Sequence, residues 1–402
     1  MRRTINLALL LGLLAAPAAA QNEKPIRIGV LSDLGGAFAD VSGPGSVLAA
    51  KMAAEDYRAR HPGRPVEVIS GDHQNKADIG STIARRWTDT EAVDLIIDVP
   101  NSAVALAVSE IVKARNRTFL VTGGVSSALT GTQCSPNTVH YSLDTWTMAN
   151  VPTQALVAQG GKTWYYVTAD YAFGHDMQRQ STKALEKSGG KVVGSVNYPS
   201  NTMDYSSFLL QAQASNADVI ALAAANGDFV NAMKQAVEFN LMGGKQKVVG
   251  LAVYISDIIS LTSRIAKGAV VTNNWYWDLN DQTRAFSARF AKRFNGKVPT
   301  DLQAGAYAAV TNFLAAADEV GASSDGRAVV AKMKSRPNHD PLYGESTIRQ
   351  DGRRTTPVYV WTVKDPTPGK TYDLFELLRT VPVSEAYRPL AEGGCPLVTA
   401  AN

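Results

Sequence analysis

Short aliphatic, β-branched runs alternate with longer amphipathic ones over most of this chain, and that alternation limits its fold more than any other feature. Strand-like runs fall at 26–31, 66–70, 94–99, 119–122, 164–168, 191–196, 218–223 and 247–251. Helical stretches at 45–59, 79–87, 176–187, 206–214 and 229–239 separate them. Strand and helix in alternation predict a parallel sheet with helices on both faces. Because the series starts near 26 and again near 164, the expected fold is α/β: two doubly wound, Rossmann-like lobes in tandem. A connecting segment is expected over 138–152 and a second crossing around 268–277, where 269–272 runs into Asn273-Asn274-Trp275-Tyr276-Trp277. Helical spacing over 283–294 and 302–320 predicts lobe-covering helices, and a late strand at 359–363 follows a hairpin-like 348–354 with an Asp351-Gly352 turn. Repeated crossing makes a hinge.

Two strand ends carry chemistry. One strand runs through Asp98-Val99 into Pro100-Asn101-Ser102, and the next runs through Val121-Thr122 into Gly123-Gly124-Val125-Ser126, each expected to lead into a helix. Asn101 and Ser126 can cap those helices, leaving backbone N–H groups and positive helix ends facing the crevice above the strands. That is where an open parallel sheet binds its ligand. Asn101, Ser102, Gly124, Val125 and Ser126 are therefore candidates for a carboxylate cradle. The plain alternative is that any α/β protein needs small capped turns there.

Arg2 and Arg3, the apolar run 7–14 and Ala18-Ala19-Ala20 before Gln21 have the pattern of a cleavable signal peptide over 1–20. Gln21 rather than Cys after the cut predicts no lipid anchor, and the expected location is the periplasm. Apolar residues at 45% and charged ones at 19% fit a globular chain with ample core. A net charge of +4 without a basic run argues against a nucleic-acid partner. Cys134 and Cys395 are the two cysteines, and in an oxidising compartment they point to one disulfide, with two buried thiols as the alternative. The five His residues lack ligand spacing, so neither a metal nor another cofactor is expected.

The opening 26–36, the segment Val68-Ile69-Ser70-Gly71-Asp72-His73-Gln74-Asn75 and Thr168-Ala169-Asp170-Tyr171-Ala172-Phe173-Gly174 resemble the type I periplasmic binding proteins of the leucine/isoleucine/valine-binding group. The resemblance spans the mature chain. Asp98-Val99-Pro100-Asn101-Ser102-Ala103 and the tail Leu390 to Leu397 are similar to a branch associated with aromatic acids such as hydroxycinnamates. It implies lobes over 25–143 plus 274–347 and 144–273 plus 348–380, with a tail over 381–402 returning to the first. It also implies a ligand trapped by hinge closure, an ABC permease and ATPase as inner-membrane partners, and a monomer. Matched to the family's motifs, the ligand's carboxylate meets Asn101, Ser102 and 124–126. The region Phe38 to Val41, with Val41 nearest, stands for the first-loop aromatic, Phe173 for the second-lobe tyrosine, and the next aromatic falls near Asn226. The family's acid for an amino-acid ammonium falls near Ala252 to Tyr254, where no carboxylate stands.

A closed, dry cleft holds an ammonium poorly without a paired acid. Phe38, Tyr171, Phe173, Tyr254, Trp275, Tyr276 and Trp277 fall on cleft-side loops, suiting an aromatic acid, although some of them are expected to pack the hinge or core. Amino acids remain open, since Asp170 or Asp228 could supply the acid. No catalysis is expected: an exported α/β hydrolase needs Gly-x-Ser-x-Gly, which neither 123–127 nor Gly45-Ser46 matches. A sensor of the same fold, reporting to a chemoreceptor, would look identical.

Overall fold

The computed structural model describes residues 24–199, 202–242, 244–340 and 342–399. The expected signal peptide lies outside the described residues. In the first half, β1 (Ile26–Ser32), β2 (Val66–Asp72), β3 (Leu95–Asp98), β4 (Thr118–Val121) and β5 (Thr138–His140) form a parallel sheet in the order β2-β1-β3-β4-β5. Every residue of β3 and β4 is buried, as parallel strands covered on both faces must be. α1 (Gly43–Arg60) covers one face; α2 (Ala77–Asp89) and α3 (Ser102–Ala114) cover the other.

α4 (Thr145–Ala158) opens the second half. Its parallel sheet has the order β7-β6-β8-β9, built from β6 (Thr163–Ala169), β7 (Lys191–Tyr198), β8 (Val219–Ala223) and β9 (Lys247–Gly250). α4 and α5 (Ala172–Lys187) pack on one face of it, α6 (Ser206–Ala214), α7 (Asn226–Glu238) and α8 (Ile255–Leu261) on the other. After α9 (Ser263–Ala266) and β10 (Val270–Asn273) the chain returns to the first half as α10 (Asp281–Ala291), α11 (Asp301–Val320) and α12 (Gly326–Lys334). α11 begins with a reciprocal Thr300–Gln303 cap and stops at Gly321, whose φ of 74° a β-carbon would resist. β11 (Asn338–Asp340), β12 (Gly344–Ile348) and β13 (Arg354–Thr355) form a small antiparallel sheet. β14 (Val358–Val363) and β15 (Phe375–Val381) join β10 in another, within the second half. The chain thus passes between two α/β lobes after β5, after β10 and after β13. Cys134 and Cys395 are bonded, with Cα atoms 5.6 Å apart. That bond returns the tail to the first lobe, where Arg388 donates to the carbonyls of Ser127 and Thr130 at 3.0 and 3.1 Å. No described helix is long and apolar enough to cross a membrane.

Three expectations about elements change. The segment 138–152 is no free connector: it holds β5 and the first turns of α4, which runs through Pro152 and is capped by Asp144 accepting from the Thr147 N–H at 3.0 Å. Proline in a helix interior forfeits one hydrogen bond and crowds the preceding turn, a cost that the buried apolar face of α4 outweighs. The junction after β4 leads to a single 3₁₀ turn, Ser127–Thr130, because the chain must reverse at Gly131 to enter β5. Finally, α5 and α7 begin three to four residues earlier than expected, which brings Phe173 and Asn226 into first helical turns.

Candidate ligand site between the lobes

Parallel strands with helical crossovers aim helix N-termini at the strand ends, and here five long helices, α1, α3, α5, α7 and α11, aim them at one crevice. They converge on a narrow cavity between the lobes. The first lobe lines it with Phe38, Val41, Pro100, Ser102, Gly123, Val125 and Leu302; the second with Tyr171, Phe173, Ala225, Asn226 and Tyr254. No lining residue carries a charge. Tyr171 and Phe173 have ring centroids 5.9 Å apart and form one aromatic wall. Burial pushes the Tyr254 phenol well above its ordinary pKa, so it stays a neutral hydroxyl.

Two polar atoms of this lining are buried without a partner: the Ser102 hydroxyl, at the start of α3, and the Asn226 side-chain carbonyl, at the start of α7. Helix ends of positive polarity, an unpaired hydroxyl and an unpaired amide carbonyl among apolar walls can accommodate a small ligand with a polar end and an apolar body.

Behind the wall, Asp98 closes β3. It is wholly buried and accepts from Ser32 (2.6 Å), Ser42 (2.6 Å), Thr122 (3.1 Å) and Ser46 (3.2 Å). Below Gly124, Arg353 donates to Asp144 at 3.0 Å and to His140 Nδ1 at 2.6 Å. Since a guanidinium only donates, the His140 proton sits on Nε2 and reaches the Gly124 carbonyl at 2.7 Å. Burial, and then the neighbouring Arg353, hold His140 well below its ordinary pKa, hence neutral.

Eight of the residues singled out in the sequence therefore line one cavity: Phe38, Val41, Ser102, Val125, Tyr171, Phe173, Asn226 and Tyr254. Four do not. Asn101 turns its carbonyl onto the Ala103 and Val104 N–H groups, capping its own helix, and stands in the outer vestibule. Gly124 is packed beneath the wall, where an added Cβ would lie 2.9 Å from the Val99 carbonyl oxygen. Ser126 caps the 3₁₀ turn through the Ala128 N–H. Trp275 packs edge-on to Phe286 in the first lobe's core, centroids 6.3 Å apart, because the crossing segment turns inward there. Tyr276 likewise stacks on Phe375 in the second lobe's core. Asp170 pairs with His175 at 2.9 Å, and Asp228 accepts from Tyr198 at 3.3 Å in the vestibule, so neither acid lines the cavity. Pro100, Gly123, Ala225 and Leu302 complete the wall without having been singled out. Only Leu302 had a usable signal, the Thr300-x-x-Gln303 cap that fixes where its helix starts.

Residues 25–369 match the family described as Periplasmic binding protein, and the chain belongs to that family. Its fold is the type I fold of ABC-transporter substrate-binding proteins. A solved periplasmic binding protein from Burkholderia mallei is 37% identical, with a TM-score of 0.89 over 93% of this chain and 99% of that one. A branched chain amino acid ABC transporter periplasmic ligand-binding protein from Burkholderia xenovorans LB400 is 35% identical, with a TM-score of 0.81 over 92% and 99%. A solute binding protein from R. palustris, solved in complex with benzoate, shares the fold at 18% identity, with a TM-score of 0.79 over 89% and 96%. Leu/Ile/Val-binding protein homolog 7 of Brucella suis biovar 1 is 28% identical over 242 residues, 58% of each chain. The chain spans little more than half the length of the curated relatives it matches.

Proposed function

We propose that this chain is the periplasmic solute-binding component of an ABC importer. It traps a small organic carboxylate, an aromatic acid, between its lobes and hands it to permease and ATPase subunits, as a monomer and without catalysis. One observation carries the reading: the partnerless Ser102 hydroxyl faces a cavity whose other walls are mostly apolar and aromatic, carry one unpaired amide carbonyl on Asn226, and include no acid. An amino-acid ammonium would find there the Asn226 carbonyl but no acid to balance its charge, and burying a charge without its counter-ion costs several kcal/mol. The fold-mate holding benzoate is consistent with this reading. The Burkholderia xenovorans relative favours a second one, a branched-chain amino acid.

Calorimetry of the purified chain with benzoate, 4-hydroxybenzoate, cinnamate and leucine separates the two. Binding of an aromatic acid without leucine is expected; tight leucine binding with no heat from any aromatic acid overturns the assignment.

A further inference from the structure

We propose that Asp98 is a positioning residue of the ligand site: its carboxyl group, caged by hydroxyls from three segments, holds the left-handed turn that carries Ser102 into the cavity. The role given to Ser102 rests on the carboxylate reading above; the turn itself does not.

Asp98 and Val99 have φ of 83° and 57°. Consecutive non-glycine residues rarely take that conformation, a β-branched one least of all, and it persists only where the surroundings over-determine it. Glycine would sit at position 98 without steric cost. The chain instead places there a buried carboxyl group with four hydroxyl donors and, among the described residues, no ion pair.

Those donors come from every first-lobe segment around the cradle. Ser32 ends β1, Ser42 and Ser46 belong to the loop and first turn of α1 next to Val41, and Thr122 precedes Gly123. The backbone follows suit: the Gly123 N–H donates to the Asp98 carbonyl at 3.1 Å, and the Val99 N–H to Leu31 at 2.9 Å. A Cβ added to Gly123 would lie 2.8 Å from Pro100 Cα and 3.0 Å from Asp98 Oδ1, so the carboxyl group stands directly behind the cavity wall. An apolar side chain would fill the space but strand the Ser32 and Thr122 hydroxyls and leave those of Ser42 and Ser46 only each other, at 3.3 Å. Three residues separate Asp98 from Ser102, and a turn released at its caged end lets α3 shift its first residue.

The test uses Asp98→Gly, which keeps the left-handed backbone and removes the cage, and Asp98→Asn, which keeps the cage because hydroxyls both donate and accept. In Asp98→Gly, benzoate affinity is expected to fall about 30-fold, the scale of a lost hydrogen bond to a charged group. Benzamide affinity stays nearly constant, and a crystal structure shows 98–102 displaced. Asp98→Asn restores benzoate affinity. An Asp98→Gly crystal structure with 98–102 in place, or equal losses for benzoate and benzamide, overturns the proposal. If the unaltered chain binds none of the carboxylates of the calorimetric panel, the carboxylate reading fails and the path of 98–102 alone decides the role of Asp98.

Discussion

The Ser102 hydroxyl is a first-lobe polar atom, buried and without a partner, that a ligand between the lobes can satisfy. An unpaired buried polar atom costs about 1–3 kcal/mol, and a hydrogen bond to a charged group contributes about 1.5–3 kcal/mol. Ser102→Ala removes both, so it should leave the ligand-free protein no less stable while weakening a bound carboxylate by about 10- to 100-fold. Its neutral amide should lose far less. Paired titrations with benzoate and benzamide check this, and equal losses would count against a carboxylate at this end of the cavity. Ser102 was legible in the sequence because it stands at a predicted strand end, and in a parallel sheet those ends share one crevice; Phe173 and Asn226 came from the match to the family's motifs. Trp275 was not. A tryptophan on a crossing segment is as apolar facing Phe286 in a core as facing a ligand, and only the turn of the backbone decides between the two.

Between elements, the crossings are joined by one buried network. Arg353, just before β13, reaches His140 in β5 and Asp144 at the start of α4, and also donates to the Ser142 carbonyl. One guanidinium therefore spans the first and third crossings while fixing the floor under Gly124. Burial opposes the charge on Asp144, yet Arg353 and the Thr147 N–H hold its carboxyl below the usual range. Arg353→Met leaves that charge alone in the interior, and a loss of about 3–5 kcal/mol is expected from urea unfolding. Adding Asp144→Leu should recover much of it; two losses that simply add would mean the pair is not coupled. The strand–helix alternation foretold both parallel sheets, since burial on two faces leaves unbroken aliphatic runs. It did not foretell α4 passing through Pro152, or the 3₁₀ turn after β4, because packing and chain reversal override local preference at both places.

Across the whole molecule, the lobes bring two acids close in the zone where they meet. Asp257 lies in α8 of the second lobe and Asp301 opens α11 of the first, both buried, each one to three residues from a cavity-lining residue, Tyr254 or Leu302. Burial pushes each carboxyl group up to about 7, and the charges of Asp301 and Asp40 add to the effect on Asp257. The surrounding groups do not offset this. The Tyr254 N–H donates to Asp257, Lys297 is engaged with Asp40 at 3.5 Å, and the Tyr343 hydroxyl meets only the Asp301 backbone carbonyl. For an acid with a raised folded-state pKa, the folded form binds more protons between the unfolded value of 3.8 and about 7, so its contribution to stability is lost as pH rises through that window. Buried His73 and His140, held neutral, tilt stability the opposite way below 6.5, so the total curve mixes both signs. The difference between Asp301→Asn and the unaltered chain separates them. Relative to the unaltered chain, the variant should gain stability from pH 5 to 7, by at most about 1.4 kcal/mol per pH unit for the proton removed. Urea unfolding at pH 5, 6, 7 and 8 reads this directly: the two curves diverge up to about pH 7 and run parallel above it. Curves parallel throughout would place the Asp301 pKa near its unfolded value, with no proton linkage between the lobes.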